Sequence, residues 1–83
     1  NGAVAYGLME LTKARNEGAI ETLLISVDLL RDEDAIIDGT SWQLWCKSLS
    51  EIGGKMIQCS TDHDSGQQLL GIGGAIALLR FKI

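Results

Sequence analysis

Asp62-His63-Asp64-Ser65 sets an imidazole between two carboxylates and beside a hydroxyl, the residue types from which nucleophilic or metal-assisted hydrolysis is built. A nucleophile, its base and an orienting acid must converge in space, however, and residues one apart in a first helical turn point in different directions. Acidic and hydroxyl side chains at a helix start already have a task, because the first backbone N–H groups lack partners and the dipole favours negative charge. A lone histidine cannot supply a zinc site. Gly71, Gly73 and Gly74 suggest a phosphate-cradling loop. Such loops follow a strand and open a helix, whereas these glycines close a helix and enter a strand. No GK[ST] follows, and Ile76 stands where the third glycine of GxGxxG belongs. A helix C-cap and a close backbone approach account for them.

Cys46 and Cys59 are the only two cysteines, with no CxxC pair and no second cluster to complete a metal site. They read as reduced thiols in apolar surroundings, which implies a cytoplasmic setting. Trp42 and Trp45 are three residues apart and continuous with Leu49 and Ile52 along one helical stripe, so core packing is favoured over an exposed anchor pair. Arg80 is the one charge between Ala75 and Phe81, so it must find a carboxylate, emerge at a sheet end or face a partner.

The elements that position these residues follow from periodicity. Leu8, Leu11 and Ala14 recur at helical spacing, and Gly18 stands where a C-cap glycine would. Thr22 to Val27 is a short apolar run that reads as a central strand. Asp28 to Asp34 is charged and predicts one helical turn, followed by a loop through Asp38-Gly39. Thr40 or Ser41 caps a second helix carrying Trp42, Trp45, Leu49 and Ile52, which Gly53-Gly54 ends. Lys55 to Ser60 is a second strand. Thr61 and Asp64 form a capping-box-like start to a third helix bearing Leu69 and Leu70. Ala75 to Phe81 is the third strand. Strands alternating with helices predict an α/β fold, a three-layer α/β/α sandwich with a largely parallel or mixed sheet.

With 83 residues the chain, 1–83, is expected to be a single domain burying roughly 60–65% of its unfolded surface. Hydrophobic residues make up 46% and charged residues 22%, a composition that folds rather than staying disordered. No apolar run approaches the roughly 18 residues that a membrane-spanning helix needs. The net charge of −4 argues against a surface made to neutralise phosphates, so protein partners are favoured over nucleic acid. Opening at Asn1 without an initiator methionine, the chain reads as a C-terminal fragment of a longer multidomain protein.

Several segments together resemble the C-terminal domain of the Pelota family, the archaeal and eukaryotic ribosome-rescue factors related to class-1 translation termination factors. They are Ala5-Tyr6-Gly7, Gly18-Ala19 with Thr22 to Ser26, Leu29-Leu30-Arg31, Ser60, His63, Ser65-Gly66, Leu69, Gly73-Gly74 and Leu78-Leu79-Arg80-Phe81. Their order and spacing carry the resemblance, which covers nearly the whole chain. Termination factors end similarly but carry a sizeable insertion after the first strand, where this chain has only Asp32 to Gly39. One departure is Val27, which stands where a polar or acidic residue usually caps the following turn.

The resemblance implies the fold shared by kink-turn-binding ribosomal proteins and the C-terminal domain of class-1 release factors. It further implies a factor that enters the ribosome at stalled complexes and serves mRNA surveillance, delivered by an elongation-factor-like GTPase and acting with a recycling ATPase. In such a factor this domain is a docking surface without catalysis, cofactor or metal. The expected partner-binding residues are Leu78, Leu79, Arg80 and Phe81, with His63, Gly73 and Gly74. Three alternatives stand beside it: the corresponding domain of a peptide chain release factor, a free-standing RNA-binding protein of the same fold, and a small hydrolase using His63 and Ser65.

Overall fold

A computed structural model of the chain describes residues 3–60, 62 and 64–81. In chain order the elements are β1 (Val4–Tyr6), α1 (Leu8–Asn16), β2 (Ile20–Ser26), α2 (Val27–Arg31), β3 (Ile36–Ile37), β4 (Thr40–Ser41), α3 (Trp42–Glu51), β5 (Lys55–Cys59), α4 (Asp64–Leu70) and β6 (Ala75–Leu79). The main sheet runs β1-β6-β2-β5, so the apolar run expected at the centre is central. The sheet is mixed, because β2 pairs parallel with β5 but antiparallel with β6.

Three expectations need correction. The chain opens on a strand rather than a helix: Val4–Tyr6 pairs antiparallel with β6, a three-residue element too short to show alternation. The segment expected to be a loop through Asp38-Gly39 is a two-residue hairpin joining β3 and β4. Asp38 (φ 53°) and Gly39 (φ 75°) both take positive φ, as a turn that matches strand twist requires. The third strand stops at Leu79, two residues short of Phe81, which leaves Arg80 at the strand end rather than inside it. Ser26 fills the capping role that Val27 cannot, its hydroxyl accepting a hydrogen bond from the Leu29 N–H at 3.1 Å.

One device ends three helices. After α1, the Gly18 N–H donates to the Arg15 carbonyl and the Ala19 N–H to the Ala14 carbonyl, the paired bonds of a Schellman cap. Gly53 and Gly54 repeat this after α3, on the carbonyls of Ser50 and Leu49. Gly73 and Gly74 repeat it after α4, on Leu70 and Leu69. Each cap turns the chain straight into the next strand of the main sheet.

Cross-strand pairing sorts the sheet into two faces. Ala5, Ala77 and Leu23 align on one face, as do Ala75 and Ile25, and all five are buried. They join Leu11, Ala14, Trp42, Trp45, Cys46 and Leu49 in a continuous core, so α1 and α3 cover this face. The two indoles pack edge to face with centroids 5.6 Å apart, and both are buried, in line with core packing rather than an exposed anchor pair. Ile52, placed on that stripe by spacing, is 48% exposed because the helix has already reached its cap. Leu69 of α4 is buried but stands outside this core, against the opposite face. The architecture is therefore the expected three-layer sandwich, with an outer layer on that second side made, among the described residues, by one short helix.

Arg15 locks the first layer from outside. Its Nη2 donates to Ser48 Oγ on α3 at 2.9 Å, and its Nη1 lies 4.0 Å from Asp38 Oδ2 in the hairpin turn.

Candidate docking surface

The end of β6 is held from three directions. The Leu79 N–H donates to the Ala3 carbonyl at 2.8 Å, and the Arg80 N–H to the Ala19 carbonyl at 2.7 Å. The Arg80 guanidinium then reaches across 27 residues of sequence to the Gly53 carbonyl at 2.8 Å. A cation at that carbonyl sits beside the C-terminal cap of α3, where the helix dipole favours positive charge. Arg80 thus takes a backbone carbonyl at the sheet end, not a carboxylate. Its side chain is exposed apart from this bond, and Phe81 beside it is 49% exposed.

The other expected partner-binding residues divide by burial. Leu79 is half-buried against the core and supports the strand end from below. Leu78 points to the opposite face of the sheet, 40% exposed. Gly73, φ +102°, is an exposed cap residue. Gly74 is buried: its carbonyl accepts from the Ser26 N–H at 2.8 Å, and a Cβ there would lie 2.9 Å from Leu29 Cδ2. Its φ of +92° and this close approach both require glycine, so the pair is a helix stop and a packing contact. Arg80 and Phe81 are consecutive and both exposed, with Arg80 fixed by hydrogen bonds; the glycines and Leu79 shape the turn and strand that lead to them. His63 and Thr61 lie outside the described residues, as does the side chain of Ser65.

Sequence reasoning missed Gly53 and Ala19 as the acceptors that fix Arg80. Neither spacing nor residue type signals them, because the contact is made by backbone carbonyls brought near by the Schellman turns.

Among the described residues no group of three or more His, Cys, Asp or Glu is arranged to hold a metal ion. Both thiols are free; Cys46 lies in the core and Cys59 at the half-buried end of β5. Burial pushes the Cys46 thiol up from 9.0 to about 11, the opposite of an activated nucleophile. An open cleft along α1, lined by residues such as Leu8, Met9, Thr12 and Asp38, is largely apolar. Among the described residues no helix is long and apolar enough to cross a membrane.

Comparison with known proteins agrees with the fold. A family model described as eRF1 domain 3 matches residues 1–83. The protein pelota homolog of Methanocaldococcus jannaschii is 42% identical over 99% of this chain and 22% of its own length. The structure described as ribosome-bound archaeal Pelota and ABCE1 superposes with TM-score 0.83 at 37% identity, covering all of this chain and 22% of the other. Saccharomyces cerevisiae Dom34, described as a translation termination-like factor interacting with Hbs1, superposes with TM-score 0.82 at 27% identity, covering 98% of this chain and 22% of the other. The chain spans about a fifth of the length of the curated relatives it matches.

Proposed function

This chain belongs to the eRF1 domain 3 family, and from that premise we propose that it is the C-terminal docking domain of a Pelota-like ribosome-rescue factor. The longer protein recognises stalled ribosomes in mRNA surveillance; this domain binds the elongation-factor-like GTPase that delivers the factor and the ATPase that recycles the ribosome. The similar archaeal Pelota is described with the ribosome and ABCE1, and Dom34 with Hbs1, which supports both partner classes.

The observation that carries the reading is the exposed end of β6, where the Arg80 backbone and guanidinium are fixed by the Ala19 and Gly53 carbonyls and the next residue, Phe81, is exposed. Arginine and aromatic side chains are enriched at interfaces and their hot spots, and a preorganised arginine loses little freedom on docking. Leu78, Leu79, Gly73 and Gly74 shape the strand and turn behind it, and His63 is proposed as a partner-binding residue from the family resemblance alone. The domain acts without catalysis, cofactor or direct sequence-specific contact to nucleic acid, in keeping with the net charge of −4. The setting is the cytoplasm.

A pull-down of the cognate GTPase by the full-length factor, wild type against Arg80→Ala, tests the site. Weakened capture with an unchanged thermal midpoint is expected; unchanged capture would sink the assignment.

A further inference from the structure

The two edges of the main sheet are guarded unequally. The strand order β1-β6-β2-β5 leaves β1 and β5 each paired on one side only. Natural edge strands are protected from further pairing by shortness, proline, a bulge, charge or a covering element. β1 has three residues. β5 has five, Lys55–Cys59, in unbroken parallel register with residues 22–26, and the chain contains no proline. Its one charge, Lys55, stands at its first residue and leaves residues 56–59 open. In a strand bonded on one side, alternate N–H and C=O groups point outward. Beyond its ladder with β2, the β5 backbone has no hydrogen-bond partner among the described residues. Met56, 37% exposed, carries the row of buried Ala77 and Leu23 out to this edge.

The foot of the same strand is positively charged. The Arg80 guanidinium crosses from the end of β6 to the Gly53 carbonyl at 2.8 Å, and Lys55 follows two residues later. Arginine carries five N–H donors, and among the described residues the side chain of Arg80 bonds only to Gly53. No carboxylate of the described residues lies within 4.0 Å of either cation, the ion pair at that distance being Arg15 with Asp38.

We propose that the protein partner docked at Arg80 adds an extended strand to the outer edge of β5 and sets an Asp or Glu at its foot, against Arg80 and Lys55. This deepens the docking reading and rests on it. Main-chain hydrogen bonds supply affinity in such strand addition, and the charge contact fixes register. About five extended residues, spanning roughly 16 Å, fill the edge. Charge selects a partner over a second copy. Two copies paired antiparallel about Ile57 would set Cys59 opposite Lys55, give the cations no carboxylate, and bring together two chains of net charge −4.

The test uses the full-length factor and its GTPase. Amide hydrogen exchange is read residue by residue in the free factor and in the complex, and affinity is measured by calorimetry for wild type, Lys55→Glu and Lys55→Arg. Alternate amides within residues 55–59 should exchange about tenfold more slowly, or slower still, in the complex. Lys55→Glu should weaken binding by about tenfold at an unchanged thermal midpoint, and Lys55→Arg should keep wild-type affinity. A complex whose amides at 55–59 exchange as in the free factor would overturn strand addition while leaving docking at Arg80 standing. Wild-type affinity in Lys55→Glu would overturn the carboxylate contact, and protection of these amides by self-association without the GTPase would give the edge to a second copy instead. A complex indifferent to Arg80→Ala, or no complex at all, would overturn the docking reading and this proposal together.

Discussion

Leu23 and Ala77 are fully buried, while Tyr6 and Leu78, in the pairing rows on either side of theirs, are 53% and 40% exposed. The two faces of the sheet share backbone, register and apolar character; they differ in what lies over them. On one side α1 and α3 supply Leu11, Trp42, Trp45 and Leu49 and complete a core. On the other, α4 supplies Leu69 as its one buried side chain among the described residues. The closed face holds the fold, and the end of β6 that we propose for docking is held apart from it, with Arg80 bonded to the Ala19 and Gly53 carbonyls.

The largest effect should come from the closed face. Trp45→Ala removes a buried indole with its edge-to-face partner and should cost about 3–5 kcal/mol, read from urea unfolding. A loss near zero would mean that this core does not carry the fold. Alkaline pH probes the same side. Because Cys46 is raised from 9.0 to about 11, the unfolded chain loses its proton first as pH rises, so stability is intact below pH 9 and falls between 9 and 11. The loss attributable to this thiol is about 2–3 kcal/mol at its full extent. Cys46→Ala should abolish that part of the slope, and an unchanged slope would assign it elsewhere.

Smaller effects follow at the joints between the layers. Gly74→Ala forces a Cβ onto Leu29 at positive φ and should cost about 1–3 kcal/mol in the same unfolding experiment. Ser26→Ala removes the cap of α2 for about 1 kcal/mol. Arg80→Ala should change stability by no more than about 0.5 kcal/mol, its side chain being exposed, while weakening partner binding.

Much of this division was legible in the sequence where one residue type answers one local demand. Gly18, Gly53 and Gly73 marked helix ends because the cap needs positive φ, and Trp42, Trp45 and Leu49 marked a core stripe because helical spacing stacks them. The open face was not legible. Val4 to Tyr6 is too short for a period, and only pairing with β6 makes Tyr6 a neighbour of Ile76. Nor did spacing show that Asp38-Gly39 closes a hairpin, since the two-residue strands beside it carry no alternation. Of the proposed docking patch, the sequence offered Arg80 and Phe81 as types but not the Gly53 and Ala19 carbonyls that fix Arg80. Contacts between backbone atoms far apart in the chain leave no residue signature.

The most direct test of docking at the β6 end is a calorimetric titration of the full-length factor with its GTPase, comparing wild type with the Arg80→Ala, Phe81→Ala double variant. Losing two hot-spot side chains should weaken binding by about tenfold or more, at an unchanged unfolding midpoint. Wild-type affinity in the double variant would contradict the assignment of this domain's function to that patch.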